Sequence, residues 1–358
     1  MRVIISAGGT GGHIYPALAI INKIKDMEPD ASILYIGTTD RMESKLVPSL
    51  KIKYIGLPMK GLDRHHILNN FSVLKMYKNS YKKSIKIIKD FKPDIVIGVG
   101  GYITAPVLKA ATHLHIKTAI HEQNSTPGIT NKMLSKKVDK IFISMKESSK
   151  YFPKNKTFFT GNPRSQEVIS EKAITKKELG FDEKPLVVIV MGSLGSYTIN
   201  KEEVKIVEEN EKNMYNILLV TGEKYFDSYK NIKVPNNIKI VPFEKNLTRI
   251  LKSTDLIVTR AGASTLAEIT ALGVPSILVP SPYVSENHQY KNAMTLVNNG
   301  AGVLLEEKDF NKDNLVKLID ELLSDKKRLA NMKKNALSLS TPNSCDVIYG
   351  EIKKLIGE

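Results

Sequence analysis

Residues Thr259–Gly302 read TRAGASTLAEITALGVPSILVPSPYVSENHQYKNAMTLVNNGAG, and the order of patterns in this stretch decides the fold. The apolar run Leu256–Val258 leads into a turn of small residues, and the helical pattern that follows stops at Gly273. A second apolar run, Ile277–Val279, opens a polar loop. Strand, turn, helix and strand in this order predict a parallel α/β sheet, which presents ligand-binding groups beyond the carboxyl ends of its strands.

The small-residue turn is a candidate site for a nucleotide-linked sugar. The first N–H groups of a helix have no intrahelical acceptors, so such a helix end attracts phosphate. Glu268 and Gln289 can then supply hydrogen bonds to sugar hydroxyls. The alternative is a capping box in which Thr265 is the N-cap and Glu268 bonds back to its N–H, which leaves Gln289 as a surface amide.

The alternation of strands and helices extends over the whole chain. Its 358 residues, 42% of them hydrophobic, suffice for two α/β domains with full cores. Apolar runs alternate with helical patterns in both halves, which predicts an α/β fold of two Rossmann-like, doubly wound domains. We expect these domains at 1–160 and 161–340, with a cleft between them for ligands. A final helix in 341–358 is expected to pack back on the first domain.

The amino-acid composition limits the possible cellular compartments and binding partners. A single cysteine, Cys345, and an N-terminus without a signal-peptide pattern favour a reducing cytoplasm. No apolar stretch approaches the roughly 18 residues of a membrane-spanning helix. The net charge of +16 calls for an anionic partner: nucleic acid, a membrane surface or a phosphorylated substrate. Only seven of the 53 basic residues are arginine and no nucleic-acid-binding motif is present, so nucleic acid is disfavoured.

The first glycine-rich turn, Gly8–His13, can admit a diphosphate because its backbone N–H groups carry little side-chain bulk. It lacks the Lys-Ser/Thr of a Walker A loop and the spacing of a dinucleotide fingerprint, so ATP and NAD are disfavoured. An ordinary tight turn is the alternative. His13 favours a site, because an imidazole at a helix start beside such a loop suits a general base better than core packing.

Two further segments in the first half are candidates. Gly98–Tyr102 is either a second phosphate loop or a glycine-permitted strand end. His121-Glu122-Gln123-Asn124 places four polar side chains after a buried strand, which indicates a site at its carboxyl end. His121 and Glu122 could ligate a metal, but nothing else at ligand spacing completes the set.

A helix is predicted within residues 67–92. Its apolar face has helical spacing, and lysines repeat one residue further on; these are Leu74, Tyr77, Tyr81, Ile85 and Ile88, and Lys75, Lys78, Lys82, Lys86 and Lys89. A core-packed helix with a solvated basic flank is the preferred interpretation. Ile67, Leu68, Phe71 and Val73 precede it in a predicted loop without a core period, and we expect them to contact an anionic membrane.

Taken together, the motifs resemble those of one family, the MurG family of bacterial peptidoglycan glycosyltransferases, which convert lipid I to lipid II. The matching motifs, in family order, are Gly8-Gly9-Thr10-Gly11-Gly12-His13 with Pro16, Gly100-Gly101-Tyr102 with Pro106, His121-Glu122-Gln123-Asn124, Thr160-Gly161-Asn162-Pro163-Arg164, Gly192-Ser193-x-Gly195, Arg260-Ala261-Gly262 with Glu268, and Gln289-Tyr290-x-Asn292-Ala293. They span nearly the whole chain.

The resemblance implies a GT-B fold and an inverting transfer of N-acetylglucosamine from UDP-N-acetylglucosamine, without metal or cofactor. The acceptor would be the muramoyl 4-hydroxyl of lipid I, an undecaprenyl-diphosphate lipid, at the cytoplasmic face of the membrane. The first domain would take the acceptor and face the membrane, and the second would bind the donor. His13 is the candidate base, a role that Glu122 or an anionic acceptor could share.

The resemblance also implies the residues that hold the substrates. Glu268 would bind the ribose. The nucleotide and its diphosphate would be bound by Arg164, Ser193 and the turn Gly262, Ala263, Ser264, Thr265, Leu266, Ala267 and Glu268. Asn124 and Gln289 would hold the N-acetylglucosamine, and the backbone near Phe243 and Glu244 would face uracil. The acceptor side would be lined by Thr10, Gly11, Gly12, Gly100, Gly101 and Tyr102.

The chain departs from the family pattern at two positions. Leu194 stands where members commonly have Gln, and His288 stands where a second Gln is usual, so one side-chain contact at each is in doubt. Three alternatives stay open: a non-hydrolysing UDP-N-acetylglucosamine epimerase, a diacylglycerol glycosyltransferase of the same fold, and a non-catalytic binding protein.

Overall fold

The computed structural model describes residues 1–61, 70–192, 196–209 and 214–358. The chain divides into two compact units. Unit 1 comprises Met1–Gln166 and Asn343–Glu358, and unit 2 comprises Glu167–Pro342. The divisions follow residues 166 and 342, whereas the expected boundaries lie after residues 160 and 340.

Unit 1 contains a seven-stranded sheet in the order β3-β2-β1-β4-β5-β6-β7, with every pairing parallel. The strands are β1 (Arg2–Ala7), β2 (Ser32–Thr38), β3 (Lys53–Leu57), β4 (Ile95–Gly100), β5 (Lys117–Glu122), β6 (Lys140–Ile143) and β7 (Thr157–Phe159). The helices are α1 (Gly11–Met27), α2 (Glu43–Ser49), α3 (Asn70–Phe91), α4 (Thr104–His113), α5 (Ile129–Leu134), α6 (Pro163–Ser170), which contains the point of division, and α13 (Ser344–Ile356).

Helices cover both faces of this sheet, so its central strands are continuous apolar runs. Val3 and Ile5 of β1 belong to one core cluster, and Ile4 between them belongs to the other, as expected from the alternation of side chains along a strand. Helix α13 contributes Ile348 and Ile352 to the first of these clusters, against α1.

Unit 2 contains a six-stranded parallel sheet in the order β10-β9-β8-β11-β12-β13. Its strands are β8 (Leu186–Val190), β9 (Asn216–Val220), β10 (Ile238–Val241), β11 (Leu256–Thr259), β12 (Ser276–Leu278) and β13 (Gly302–Leu304). Its helices are α7 (Tyr197–Glu208), α8 (Leu247–Leu251), α9 (Ala263–Leu272), α10 (His288–Asn298), α11 (Lys312–Ser324) and α12 (Lys326–Ser338). The predicted class of two doubly wound α/β domains is confirmed.

Each sheet reverses its strand order at one place, between β1 and β4 in unit 1 and between β8 and β11 in unit 2. In doubly wound sheets, ligands bind outside the carboxyl ends of the strands at this switch point. The first glycine turn follows β1, and the small-residue turn at Arg260–Gly262 follows β11. The fold therefore places these two predicted anion-binding turns where ligands bind in such sheets.

Helix α3 differs from its prediction in two ways. It begins at Asn70, so Phe71 and Val73 lie in its first turn rather than in a loop. Its fully buried residues include Ser80 and Ser84, whereas Leu74 at the start of the predicted apolar face is 59% exposed. The Ser80 hydroxyl donates to the Pro58 carbonyl at 2.9 Å, so small polar residues are part of the buried face of this helix.

The carboxylate of Glu28 joins α13 to the start of the chain. It accepts hydrogen bonds from the Met1 ammonium at 3.0 Å and from the Tyr349 hydroxyl and Lys353 ammonium at 2.8 Å each. The Lys353 hydrogen bond is the largest cause that lowers the pKa of Glu28, which falls to about 2. Glu28 therefore stabilises the fold in its ionised form.

We predict that Glu28→Gln lowers the free energy of unfolding by about 1–2 kcal/mol near pH 7, after discounting for solvent screening. Because the folded pKa lies below the unfolded value, the deficit should be complete above about pH 4.5 and should vanish as pH falls towards 2. Urea unfolding of both proteins across this pH range measures it. Glu358→Gln, which removes a more exposed partner of Lys353, is the control and should change little. Parallel pH curves for wild type and Glu28→Gln would contradict the assignment.

Candidate active site

Two glycine turns meet at the carboxyl ends of β1 and β4. The Gly8 N–H donates to the Gly100 carbonyl at 3.2 Å, and a Cβ on Gly101 would lie 2.3 Å from the Gly8 carbonyl oxygen. Gly100 and Gly101 also have positive φ values of 116° and 88°, which residues with a side chain rarely adopt. The close approach of the two backbones therefore requires glycine at these positions, whether or not the turns also bind a ligand.

His13 lies in the first turn of α1 with its ring against Gly100, where a Cβ would be 2.4 Å from the ring Cδ2. Its Nδ1 is 3.1 Å from the Gly8 carbonyl oxygen. Because a carbonyl oxygen can only accept, Nδ1 carries the hydrogen, and the neutral ring has its lone pair on Nε2. This tautomer suits the predicted role of His13 as a general base.

The other acceptor-side candidates surround this histidine. Thr10 is the N-cap residue of α1, and Gly11 and Gly12 form its start, where backbone N–H groups lack intrahelical acceptors. The ring of Tyr102 lies against Gly61 and near Gly9. The structure thus brings together seven predicted residues at one edge of the sheet: Thr10, Gly11, Gly12, His13, Gly100, Gly101 and Tyr102.

Glu43 is a component of this region that the sequence analysis missed. It is the first residue of α2 and is fully buried. Its carboxylate accepts from the Thr38 N–H at 3.0 Å, the Thr38 hydroxyl at 2.7 Å and the Gly9 N–H at 3.2 Å. A glutamate at a helix start normally lies in solvent, so nothing local identified it. Gly8 and Gly37 were the available signal, since neither has room for a Cβ beside this carboxylate.

Glu122 does not fit its predicted role as a weaker candidate base. It is 2% exposed, and both carboxylate oxygens are occupied. Asn124 donates from its backbone and side-chain nitrogens at 3.0 and 3.1 Å, and the Gly128 N–H and Asn131 amide donate at 3.1 and 2.9 Å. A carboxylate satisfied by four donors and shielded from solvent holds the loop after β5 in place rather than accepting a substrate proton. The half-buried Asn124 remains a candidate sugar ligand.

His121 likewise has a positioning role. It is fully buried, with Nε2 3.1 Å from the Gly161 carbonyl oxygen and Nδ1 2.8 Å from the Gln123 amide nitrogen. Burial lowers the pKa of His121 to about 4, so the ring is neutral and donates from Nε2. The Gln123 amide also donates to the Val99 carbonyl at 2.8 Å. These bonds connect the ends of β4 and β5 to the turn before α6.

Arg164 lies on α6 in unit 1, whereas the expected limits placed it in the second domain. The backbone N–H of Arg164 donates to the side-chain oxygen of Asn162 at 3.1 Å. Its guanidinium carbon is 5.4 Å from the centroid of the Tyr15 ring on α1. Arg164 is therefore positioned by the same unit as His13, and its predicted contact with a diphosphate stays a prediction.

In unit 2, the capping-box alternative is wrong. Helix α9 begins at Ala263 with Gly262 as its N-cap, so Thr265 is the third helical residue. Glu268 then lies in the second turn with a half-buried side chain. The predicted nucleotide-binding stretch Gly262–Glu268 forms the N-terminal part of one helix that starts at the switch point of the sheet.

Buried polar contacts hold this turn in place. The Arg260 guanidinium is 2.7 Å from the Glu307 carboxylate and donates to the Val279 carbonyl at 3.1 Å. The Asn292 amide donates to the Ala261 carbonyl at 3.3 Å. The start of α9 is thus fixed before any ligand binds.

The remaining donor-side candidates follow β12 and β10, which are not adjacent in the sheet. Gln289 lies in the first turn of α10, and its side-chain amide oxygen accepts a hydrogen bond from the Ser281 backbone N–H at 2.9 Å. Phe243 is 48% exposed after β10, and the Glu244 carboxylate accepts from the Asn246 N–H at 2.7 Å. Ser193 lies outside the described residues. Within the described ranges no group of three or more His, Cys, Asp or Glu side chains could hold a metal ion.

The predicted membrane contacts are only partly compatible with the structure. Val73 is 6% exposed and belongs to the core, so its assignment to the membrane is wrong. Phe71 is 73% exposed and, with Leu74, presents an apolar surface beside Lys75 and Lys78. Ile67 and Leu68 lie outside the described residues. In the parts of the chain that the structure covers, no helix combines the length and apolar character needed to cross a bilayer.

Comparison with known proteins places this site in a family. The glycosyltransferase family 28 N-terminal domain matches residues 3–143, and the family 28 C-terminal domain matches residues 186–346. A Bacillus cereus protein named UDP-N-acetylglucosamine–N-acetylmuramyl-(pentapeptide) pyrophosphoryl-undecaprenol N-acetylglucosamine transferase 1 is 44% identical, over 99% of this chain and 100% of its own length. A transferase of the same name from Pediococcus pentosaceus is 43% identical, over 99% of both chains.

Solved structures agree with this placement. The crystal structure of Acinetobacter baumannii MurG matches with a TM-score of 0.78 and 26% identity, over 99% of both chains. Staphylococcus aureus MnaA, solved with UDP, matches with a TM-score of 0.74 but 15% identity, which shows the shared fold alone. The predicted GT-B fold and the resemblance found in the motifs are both confirmed. The chain belongs to glycosyltransferase family 28 and, within it, to the MurG family of N-acetylglucosamine transferases.

Proposed function

We propose that this chain transfers N-acetylglucosamine from UDP-N-acetylglucosamine to the muramoyl 4-hydroxyl of an undecaprenyl-diphosphate-linked N-acetylmuramyl-pentapeptide, with inversion at the anomeric carbon. The observation that carries the proposal is the full-length identity of 44% to a transferase named for this donor and acceptor. The geometry supports it, because His13 combines a fixed Nδ1–H tautomer with a position at an anion-attracting helix start.

The donor belongs to unit 2 in this proposal. The N-terminal turn of α9 takes the diphosphate, Glu268 bonds the ribose hydroxyls and the backbone near Phe243 and Glu244 faces uracil. Gln289 and Asn124 are the proposed ligands of the sugar. Ser193 and Arg164 add diphosphate contacts. The helix N-terminus favours the charge that develops on UDP as the glycosidic bond breaks.

The acceptor belongs to unit 1. The N-terminal turn of α1 and the turn Gly100–Tyr102 take its diphosphate. His13 Nε2 accepts the proton of the attacking hydroxyl as the oxygen bonds to the anomeric carbon, and UDP departs with the electrons of the broken bond. One in-line displacement of this kind inverts the anomeric centre.

UDP release with and without the lipid-linked acceptor tests the reaction. We expect release to depend on the acceptor, with a β-linked disaccharide as product. Conversion of UDP-N-acetylglucosamine to its 2-epimer in the absence of acceptor would instead establish the epimerase alternative.

Replacement of the base tests the role of His13. His13→Ala should lower kcat by about 10²–10⁴-fold with little change in the KM for the donor, because only proton transfer is lost. Steady-state kinetics with saturating acceptor measures this effect. His115→Asn is the control, since His115 is exposed on unit 1 and its φ of 55° suits Asn. A near-normal kcat in His13→Ala would remove His13 from the reaction.

Replacement of Glu268 tests the donor site. Glu268→Ala should raise the Kd for UDP about tenfold to hundredfold, because a hydrogen bond to a charged group contributes about 1.5–3 kcal/mol. Calorimetric titration with UDP measures the loss, and the melting temperature without ligand should change little. Glu208→Ala, on an exposed position of α7, should bind UDP as the wild type does. A lowered melting temperature with an unchanged Kd would show that Glu268 only supports the fold.

We also propose that unit 1 attaches peripherally to the cytoplasmic face of the membrane. Phe71 and Leu74 would enter the interface beside the lysines of α3. Anionic lipid attracts such a surface by about 1 kcal/mol per nearby basic residue.

Vesicle sedimentation tests this attachment. Phe71→Ser with Leu74→Ser should weaken binding to vesicles containing anionic phospholipid about tenfold or more, since two exposed apolar side chains are lost from the interface. Tyr283→Ser is the matched control, because Tyr283 is 83% exposed but lies in unit 2. Equal binding by the double variant and the wild type would reject this surface.

A further inference from the structure

One peptide group links a buried carboxylate to the proposed base. The N–H of the Gly8–Gly9 peptide, on Gly9, donates to Glu43 Oε2 at 3.2 Å. The C=O of the same peptide, on Gly8, accepts from His13 Nδ1 at 3.1 Å. We propose that Glu43 is a positioning residue for His13 that acts through this peptide group. The inference rests on the proposed function, because it gives that reaction's base a charged partner.

The carboxylate is held rigidly enough for this role. Its other oxygen, Oε1, accepts from both the backbone N–H and the hydroxyl of Thr38, and the side chain is fully buried. A Cβ on Gly8 would lie 2.3 Å from Oε1, so the carboxylate packs directly on the peptide it bonds. Among the described residues, the three groups that hydrogen-bond to this carboxylate are all donors, which suits an ionised, acceptor-only carboxylate.

The two hydrogen bonds explain how Glu43 can affect His13 without touching it. A hydrogen bond to the Gly9 N–H polarises the peptide and strengthens its carbonyl as an acceptor. That carbonyl then fixes Nδ1–H and stabilises the imidazolium formed when Nε2 takes the substrate proton. In Ser-His-Asp triads an aspartate performs this task by direct contact with Nδ1–H. Here a peptide group stands between the carboxylate and the imidazole.

Other titratable groups face this assembly. Tyr35 on β2 and Tyr54 on β3 lie near Glu43, and burial followed by the charge of Glu43 raises both pKa values, so both phenols stay neutral. Asp40, in the loop before α2, adds a smaller upward effect on the pKa of Tyr54. His121 on β5 faces His13 but is itself neutral at neutral pH, because burial lowers its pKa to about 4. Glu43 is therefore the charge that reaches His13 through hydrogen bonds.

The test replaces Glu43 by an uncharged isostere and follows His13 directly. Glu43→Gln removes the negative charge and places an amide in the site, so the imidazolium loses stabilisation. We expect the pKa of His13 to fall by about half a unit or more. The acid limb of the kcat/KM profile should move down by the same amount, and kcat should fall about tenfold or more. Side-chain ¹⁵N NMR, with the His13 signal assigned from a His13→Gln spectrum, gives the pKa and the tautomer without an activity assay.

Two controls separate positioning from general stability. Thr38→Val deletes the 2.7 Å hydrogen bond to the same carboxylate but leaves the bond to Gly9, so it should lower the melting temperature without moving the His13 titration. Glu28→Gln removes a carboxylate with three partners elsewhere in unit 1 and should likewise leave His13 unchanged. If Glu43→Gln does not fold, Glu43→Asp keeps the charge but draws it away from Gly9, and a loss of the fixed tautomer is expected.

The outcomes distinguish this inference from the proposed function. An unchanged His13 pKa, tautomer and pH profile in a folded Glu43→Gln or Glu43→Asp protein would overturn the role of Glu43 even if His13→Ala is inactive. A shifted His13 titration together with an active His13→Ala protein would support the Glu43–His13 linkage and reject His13 as the base.

Discussion

The backbone contact between the two glycine turns of unit 1 is the constraint on which its site depends. Gly8 and Gly101 approach so closely that a Cβ on Gly101 would overlap the Gly8 carbonyl. This contact aligns the ends of β1 and β4, places Gly100 beneath the His13 ring and directs the Gly8 carbonyl at Nδ1. The histidine is thus held against main-chain atoms of both glycine turns.

Much of this arrangement could be predicted from sequence because it depends on local patterns. The apolar runs of β1, β4, β8 and β11, each followed by a turn of small residues, predict parallel sheets and the edge that carries the site. Motif spacing then selected His13 and the start of α9. The predicted parallel sheets are confirmed because a buried parallel strand leaves a direct compositional signal. The roles of His13 and of the start of α9 stay predictions.

The features that sequence reasoning missed depend on contacts distant in the chain. In the sequence, Glu43 looks like an exposed residue at the start of a helix. Only the structure shows that it is buried and that it accepts a hydrogen bond from Gly9, 34 positions earlier. The sequence predicts Val73 in a loop because two of the buried residues of α3, Ser80 and Ser84, are polar and interrupt its apolar period. Arg164 follows a break in the pattern, yet its contact with Tyr15 places it with unit 1. In each case the environment of the residue is set by tertiary packing, which the periodicity of the sequence does not reveal.

The polar groups of unit 1 fall into two classes with different physical duties. Glu43, His121 and Glu122 are almost completely buried, and each is held by hydrogen bonds from within the unit. Leaving such a group unpaired would cost more than pairing it gains, so these residues fix one loop geometry. His13 and Asn124 are half-buried; the Gly8 carbonyl orients His13, and the Glu122 carboxylate orients Asn124. A motif such as His-Glu-Gln-Asn therefore consists mainly of buried residues that fix the loop, and its partly exposed side chain, Asn124, is the one proposed to face a substrate.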